Sequence, residues 1–181
     1  MDLTQLIESE SAKLDELHAA IRRTAVDRDR GPHSRREWAA ACAAFHSYVS
    51  PLDRYFEQAC EQARYSHAEL LEFAIRFLEL DPWFFRSGYL KQILITRLKR
   101  SDLSESARER LRRVVIDAAN RRGAREFKYY CRLAAVVADD KVVSELETVS
   151  TGTDAARANR AKMMLDQIRQ HSQLHNKRSG A

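Results

Sequence analysis

Cys42 and His46 form the clearest arrangement in the sequence that could support catalysis or hold a metal. Because they are four residues apart within a helical pattern, their side chains lie on neighbouring turns. A thiolate beside an imidazole can act as a nucleophile or as half of a zinc site. A zinc site needs a second ligand pair at short spacing, and the nearest further candidate is the single His33. Since Cys42 also lies on an apolar stripe with Trp38 and Phe45, we interpret it as a core cysteine.

Other potential catalytic or metal-binding patterns in the sequence are weaker. His171 and His175 are again four residues apart, but they lie near the C-terminus, where we expect a solvated tail. No Gly-rich phosphate loop, hydrolase motif or metalloprotease motif occurs. We therefore expect no catalytic residues, no bound metal and no cofactor. An enzyme centred on Cys42 and His46 is a remote alternative.

Basic residues are the strongest functional signal, and they are unevenly distributed. The first 80 residues carry 10 basic and 14 acidic side chains, whereas residues 86–132 carry 14 basic and 5 acidic ones. A basic segment in an otherwise acidic chain indicates an anionic partner. The alternative is that these side chains pair with nearby carboxylates on solvated helix faces.

The basic residues recur at helical spacing, which predicts a basic surface. One helix face carries Arg125, Lys128 and Arg132, with Tyr129 beside them. On an earlier helix, Lys99 belongs to a cationic C-terminal turn that also complements the helix dipole. If neighbouring helices stack, their polar faces merge into a surface for phosphates or an acidic protein. The candidate partner-binding residues are Arg86, Arg97, Arg100, Arg110, Arg113, Arg121, Arg122, Arg125, Lys128, Tyr129 and Arg132.

An aromatic block lies between Trp83 and Tyr89, with four aromatic side chains in seven residues. Adjacent residues on a helix diverge by about 100°, so these rings cannot all point to one core face. We expect flanking helices to cover them. The alternative is an exposed ring beside Arg86 and Lys91 that serves as a protein-binding anchor or a base-stacking platform.

Composition and periodicity predict an all-α fold. The chain of 181 residues contains only 5 Gly and 3 Pro, and its apolar residues recur every three or four positions. We expect about eight helices, arranged as a helical bundle or as a short HEAT-like α-solenoid of stacked antiparallel helix pairs. Residues 70–78 are apolar on nearly every helix face, which predicts a central helix contacted from several sides.

Three regions are predicted along the chain. Residues 1–30 form an N-terminal amphipathic helix, residues 34–171 a single α-helical domain, and residues 172–181 a flexible tail. The first helix resembles a heptad seam through which the chain could dimerise, although Glu10 stands where an apolar residue is expected. More often such a stripe packs on its own domain.

Helix ends are predicted from capping patterns. Ser34 and Glu37 have the spacing of a capping box, and Pro51 and Pro82 each suit the first turn of a helix. The helix beginning at Pro82 would place Gly88 in its interior. There it would cost up to about 1 kcal/mol relative to Ala and indicate a kink or the close approach of another backbone.

Cysteine usage and hydropathy predict a cytoplasmic protein. Cys42, Cys60 and Cys131 are odd in number and widely separated, which favours free thiols in a reducing compartment. We interpret Cys60 and Cys131 as small core residues. No apolar run approaches the 18–20 residues that a membrane span requires, so we expect no membrane partner.

The function we expect is that of a non-catalytic α-helical interaction module, an adaptor or regulatory subunit. It would bind a protein partner, acidic in character, through the Arg-rich face and the neighbouring aromatic residues. The alternative is a nucleic-acid-binding protein that uses the same basic face on phosphates. A net charge of +5 is small for a dedicated nucleic-acid-binding protein, which favours the protein partner.

Overall fold

The computed structural model of the chain describes residues 2–121 and 126–179. Within these ranges the chain forms nine α-helices and no β-strand, so the predicted all-α class is confirmed. The helices are α1 (Leu3–Ala25), α2 (Pro32–Ser47), α3 (Asp53–Glu61), α4 (Ala68–Leu80), α5 (Ser87–Leu98), α6 (Glu105–Asn120), α7 (Phe127–Val137), α8 (Asp140–Ser150) and α9 (Ala155–Ser179).

The helices pack into a bundle around one continuous core. Helix α4 contacts α1, α3, α5 and α6, and α5 in turn contacts α7. At the C-terminal end, α9 packs along α6, α7 and α8. A single cluster of buried side chains extends from Ile7 in α1 to Leu165 in α9.

Helix α4 is central, as its apolar sequence predicts. Phe73 and Phe77 are fully buried, and Phe56 packs edge-on against both, with ring centroids 5.4 Å apart in each case. Tyr55 stacks on Phe73 at 4.4 Å. Because large aromatic side chains dominate core energetics, this cluster is a principal source of stability for the N-terminal half of the bundle.

Helix α1 packs on its own domain through the predicted stripe. Ile7 is fully buried, and α1 lies against α2 and α4. The structure explains Glu10, the exception in the stripe, because its Oε2 atom accepts hydrogen bonds from Tyr48 at 2.7 Å and Ser50 at 2.9 Å. Glu10 therefore ties α1 to the chain between α2 and α3. The hydrogen bond to Glu10 raises the pKa of Tyr48 to about 12.

Two predicted helix starts are wrong by several residues. Helix α2 begins at Pro32 rather than after Ser34, because proline suits the first helical position and its missing N–H costs nothing there. Helix α5 begins at Ser87 rather than Pro82. Asp81 instead ends α4 in the left-handed conformation, with φ of 47°. Gly88 therefore lies in the first turn of α5 and not in the interior of a helix.

The last helix is longer than the sequence pattern indicates. We predicted that the regular spacing ends near His171, but α9 continues to Ser179. Apolar residues become sparse after Ile168, yet neither Gly nor Pro interrupts the backbone before Gly180. A helix can continue where it has no core contact, provided that no breaker residue stops it.

The three cysteines differ in exposure, and two of them depart from the predicted core positions. Cys131 is buried as predicted, whereas Cys60 is exposed and Cys42 is half-buried. In α3 the buried residues are Tyr55 and Ala59, so the adjacent Cys60 is rotated by about 100° towards solvent.

Across the described residues, no helix has the combination of length and apolar character that would let it span a bilayer.

Candidate functional site

The aromatic block is largely exposed, contrary to the expectation that flanking helices cover it. Trp83 is 67% exposed, Tyr89 50% and Phe85 42%, whereas Phe84 is buried. The expectation failed because residues 82–86 do not form a helix. They form an irregular link between α4 and α5, which we call the aromatic segment, and its rings point in different directions.

The aromatic segment is held at both ends by unusual backbone conformations. Asp81 at its start and Arg86 at its end are the non-glycine residues with positive φ among the described parts of the chain. Such conformations cost about 1–3 kcal/mol each and persist only where the surroundings enforce them. Phe84 supplies one restraint by packing edge-on against Phe77, and its backbone N–H donates to Ser87 Oγ at 3.2 Å.

The exposed rings line a groove of about 430 Å³, which we call the aromatic groove. Its principal lining residues are His18, Arg22, Trp83, Phe85, Arg86 and Tyr89. His18 from α1 stacks on Phe85 at 4.5 Å. Two guanidinium groups lie near the rings, Arg22 at 6.0 Å from the Trp83 centroid and Arg86 at 5.2 Å from that of Phe85. The groove thus combines aromatic surface with positive charge.

Beneath the groove lies a group of ionised side chains, which we call the ionic cluster: Asp81, Lys91, Arg121 and Glu126. Lys91 is only 3% exposed, and its Nζ atom lies 2.6 Å from Asp81 Oδ1 and 3.9 Å from Glu126 Oε1. Arg121 pairs with the other Asp81 oxygen. The alternative interpretation of the sequence placed Lys91 beside an exposed ring, but the structure buries it against two carboxylates.

Two further residues, Tyr130 and Gly88, lie against the ionic cluster, and the sequence did not indicate either contact. Tyr130 directs its hydroxyl towards Asp81 Oδ1 at 3.4 Å, and burial raises the pKa of this tyrosine. A Cβ atom placed on Gly88 would lie 3.0 Å from Glu126 Oε2. Gly88 is therefore approached closely by a side-chain carboxylate, and not by another backbone as the sequence had suggested.

Several of the predicted partner-binding arginines are engaged within the chain. The guanidinium group of Arg110 donates two hydrogen bonds to the carboxylate of Glu72, at 2.5 and 2.9 Å. It donates two more to the carboxylate of Glu79, at 2.7 and 2.8 Å. The Arg110 side chain is 19% exposed. These hydrogen bonds raise the pKa of Arg110 and lower that of Glu79. Arg121 belongs to the ionic cluster, and Arg97 donates to the Cys60 carbonyl oxygen at 3.3 Å.

The remaining predicted residues lie in different places. Arg86 lines the aromatic groove, and Arg113 is exposed on α6. Arg122 and Arg125 lie outside the described residues. The predicted basic face is therefore divided into separate parts by local ion pairs and by the aromatic groove.

One group of basic residues, at the end of α5 and on α7, forms a surface that we call the basic patch. It consists of Lys99, Arg100, Lys128, Tyr129 and Arg132. Helix α5 packs against α7, which brings the end of α5 near Arg132. Lys128 Nζ and Arg132 Cζ lie 5.4 and 5.5 Å from the Tyr129 ring centroid. Partial burial, with the charges of Arg132 and Arg100, lowers the pKa of Lys99. Lys99 was not among the predicted partner-binding residues, although the sequence placed it in a cationic turn.

The arrangement at Cys42 and His46 does not extend to further ligands. Cys42 is half-buried and His46 is exposed on α2, and His33 pairs with Glu37 at 3.3 Å. Over residues 2–121 and 126–173 the structure contains no group of three or more His, Cys, Asp or Glu side chains arranged to hold a metal.

The aromatic groove lies at the start of α5, whereas Lys99 and Arg100 of the basic patch lie at its end, about 18 Å away along a helix of 12 residues. Lys128 and Tyr129 lie in the first turn of α7, close to Glu126 at the edge of the groove. Comparison of the chain with known protein families, curated proteins and solved structures finds no significant match. The functional interpretation therefore depends on the geometry of these two surfaces.

Proposed function

We propose that the chain is an α-helical interaction module that binds an acidic segment of a protein partner in the aromatic groove. The observation that carries this proposal is the exposure of Trp83, Phe85 and Tyr89 along one groove. In this role the protein would act as an adaptor or regulatory subunit.

The residue types in the groove support a protein partner. Trp, Tyr and Arg are the side chains that most often dominate the binding energy of protein interfaces. A tryptophan that is 67% exposed leaves a large apolar area in water, and a partner that covers it gains about 25 cal/mol for each Å². Phe85 is already oriented by its stack on His18, which reduces the entropy lost on binding.

The charge around the groove supports an acidic partner. Arg22 and Arg86 lie at the exposed rings, whereas Glu126 lies beside Lys91 with only 12% of its side chain exposed. A ligand therefore meets the two guanidinium groups before it meets the carboxylate. Guanidinium groups form bidentate hydrogen bonds with carboxylates, so Asp or Glu residues flanking an apolar anchor would be complementary to the groove.

Selection of displayed random peptides on the immobilised full chain tests this proposal. We expect the enriched peptides to combine an aromatic or aliphatic residue with neighbouring Asp or Glu. Trp83→Ala should weaken the selected peptide at least tenfold, because interface hot spots contribute about 2 kcal/mol or more.

Val49→Ala is the matched control, since Val49 is 79% exposed but does not line the groove. It should leave peptide affinity unchanged. Two results would contradict the proposal: enrichment of peptides that lack acidic residues, or equal peptide affinity in the Trp83→Ala and Val49→Ala variants.

A further inference from the structure

The basic patch contains four cations that are not neutralised by carboxylates. In the part of the chain that the structure describes, Lys99, Arg100, Lys128 and Arg132 form no ion pair with Asp or Glu. By contrast, Lys91 at the start of α5 pairs with Asp81. Clustered like charges destabilise a folded chain unless an anion offsets their repulsion.

We propose that the basic patch binds the phosphates of single-stranded nucleic acid, with Tyr129 as the surface on which a base stacks. This goes beyond the proposed protein-binding function, because none of the residues of the patch lines the aromatic groove. The two surfaces would allow one chain to hold a protein and a nucleic acid together.

The position of Tyr129 favours nucleic acid over an acidic peptide. Its ring is partly exposed, and Lys128 and Arg132 lie near it from positions one helical turn apart on α7. A nucleotide uses all of these groups, since its phosphates contact the cations and its base stacks on the ring. A peptide of Asp and Glu residues would use the cations alone.

The partly exposed ring also favours a single strand over a duplex. In a duplex the faces of interior bases are covered by their stacked neighbours and are not accessible to a protein side chain. In a single strand the bases are free to stack on an aromatic residue, and such contacts are tolerant of sequence. The ligand class is therefore a single strand bound with little sequence preference.

Fluorescence anisotropy of a labelled oligothymidylate, titrated with the full chain over a range of salt concentrations, tests the proposal. If all four cations contact phosphates, the slope of log K against log salt should be about −3, since each contact contributes about −0.7 for a single strand. Arg132→Gln should reduce the magnitude of that slope by about 0.7. Lys162→Gln, at an exposed lysine of α9, is the control that should change neither affinity nor slope.

Tyr129 supplies the test that separates stacking from charge. Tyr129→Phe should retain oligonucleotide affinity, whereas Tyr129→Leu should lower it by about fivefold or more. Because Tyr129 packs partly against the core, the melting temperature of each variant is measured alongside. If Tyr129→Leu melts markedly lower, the Phe and Leu variants are compared at a temperature where both are folded.

The proposal is overturned by any of three results. These are no binding at low salt, equal affinity in the Tyr129→Phe and Tyr129→Leu variants, or polyglutamate binding as tightly as the oligonucleotide. The last result would assign the patch to an acidic protein. Trp83→Ala should leave oligonucleotide binding unchanged, so failure of this site is distinguishable from failure of the aromatic groove.

Discussion

Replacing the buried lysine of the ionic cluster tests whether this cluster stabilises the fold. Lys91→Met preserves most of the volume of the side chain and removes its charge. Lys91 is 3% exposed and its Nζ atom lies 2.6 Å from Asp81 Oδ1, so the substitution removes one of the two closest cations from this carboxylate. Removal of one partner from a buried ion pair is generally much more costly than the pair itself is stabilising.

The expected loss is about 3 kcal/mol in the free energy of unfolding, at the lower end of the 3–5 kcal/mol typical of such changes. The lower end applies because Asp81 retains Arg121 and the Tyr130 hydroxyl. Glu126 lies 3.9 Å from Lys91 Nζ, so its contact adds less. For a chain of this length each kcal/mol lowers the melting temperature by about 2–4 °C, which predicts a fall of about 6–12 °C.

Urea and thermal unfolding, followed by circular dichroism, measure this loss. Lys13→Met is the matched control, because Lys13 pairs with Glu16 on an exposed face of α1, where the side chains are 45% and 67% exposed. Exposed pairs of this kind contribute about 0–1 kcal/mol. The control should therefore unfold close to the wild-type protein.

A double-mutant cycle identifies the interaction responsible. Asp81→Asn removes the carboxylate charge, and asparagine tolerates the left-handed conformation that Asp81 adopts. The double variant Lys91→Met, Asp81→Asn should be more stable than the sum of the two losses implies, with a coupling of about 1–3 kcal/mol. A Lys91→Met loss below about 1 kcal/mol, or strict additivity, would refute the assigned role of the cluster.

Two further predictions concern cysteine reactivity and the arginine ion pairs. Cys60 is exposed and should react with a thiol reagent in the native protein. Cys131 should react only after unfolding, because it is buried and burial raises its pKa to about 11. Similar reaction rates for the two thiols in the native protein would contradict the packing of α7. Arg110→Gln should lower stability by about 1–2 kcal/mol at neutral pH, because Glu72 and Glu79 lose their shared partner. Arg110 lowers the pKa of Glu79 in the folded protein below its unfolded value of about 4.5. The stabilisation from this ion pair is therefore fully present above the unfolded pKa of Glu79, and it is lost as the pH falls through the pKa of Glu79 in the folded protein. The melting temperatures of the two proteins should therefore converge in acid, and a constant difference would show that the carboxylates are not involved.

The ionic cluster also links stability to the proposed binding function. Asp81 ends α4 and begins the aromatic segment, while Glu126 lines the aromatic groove and lies beside Gly88 in the first turn of α5. The buried charges thus connect α4, α5 and the start of α7 beneath the exposed rings. This arrangement fixes the irregular segment that presents Trp83 and Phe85.

Sequence periodicity by itself determined the helical architecture. Scarcity of Gly and Pro, together with apolar residues every three or four positions, is sufficient to specify helices and to identify α4 as central. Helix ends were less predictable, as Pro32 and Asp81 show. A capping pattern competes with the fixed φ of proline and with contacts from distant residues, and neither is visible in a short window of sequence.

Tertiary structure decided which of the chemically suggestive residues remain available to a partner. Arg110, Arg121 and Lys91 were indistinguishable from free cations in the sequence, because the carboxylates that they approach most closely lie ten or more residues away along the chain. The exposure of Trp83 depended in the same way on a left-handed residue at Asp81 that interrupts the helical pattern. Charge pairing and exposure are properties of contacts between helices, whereas helix formation depends mainly on local spacing.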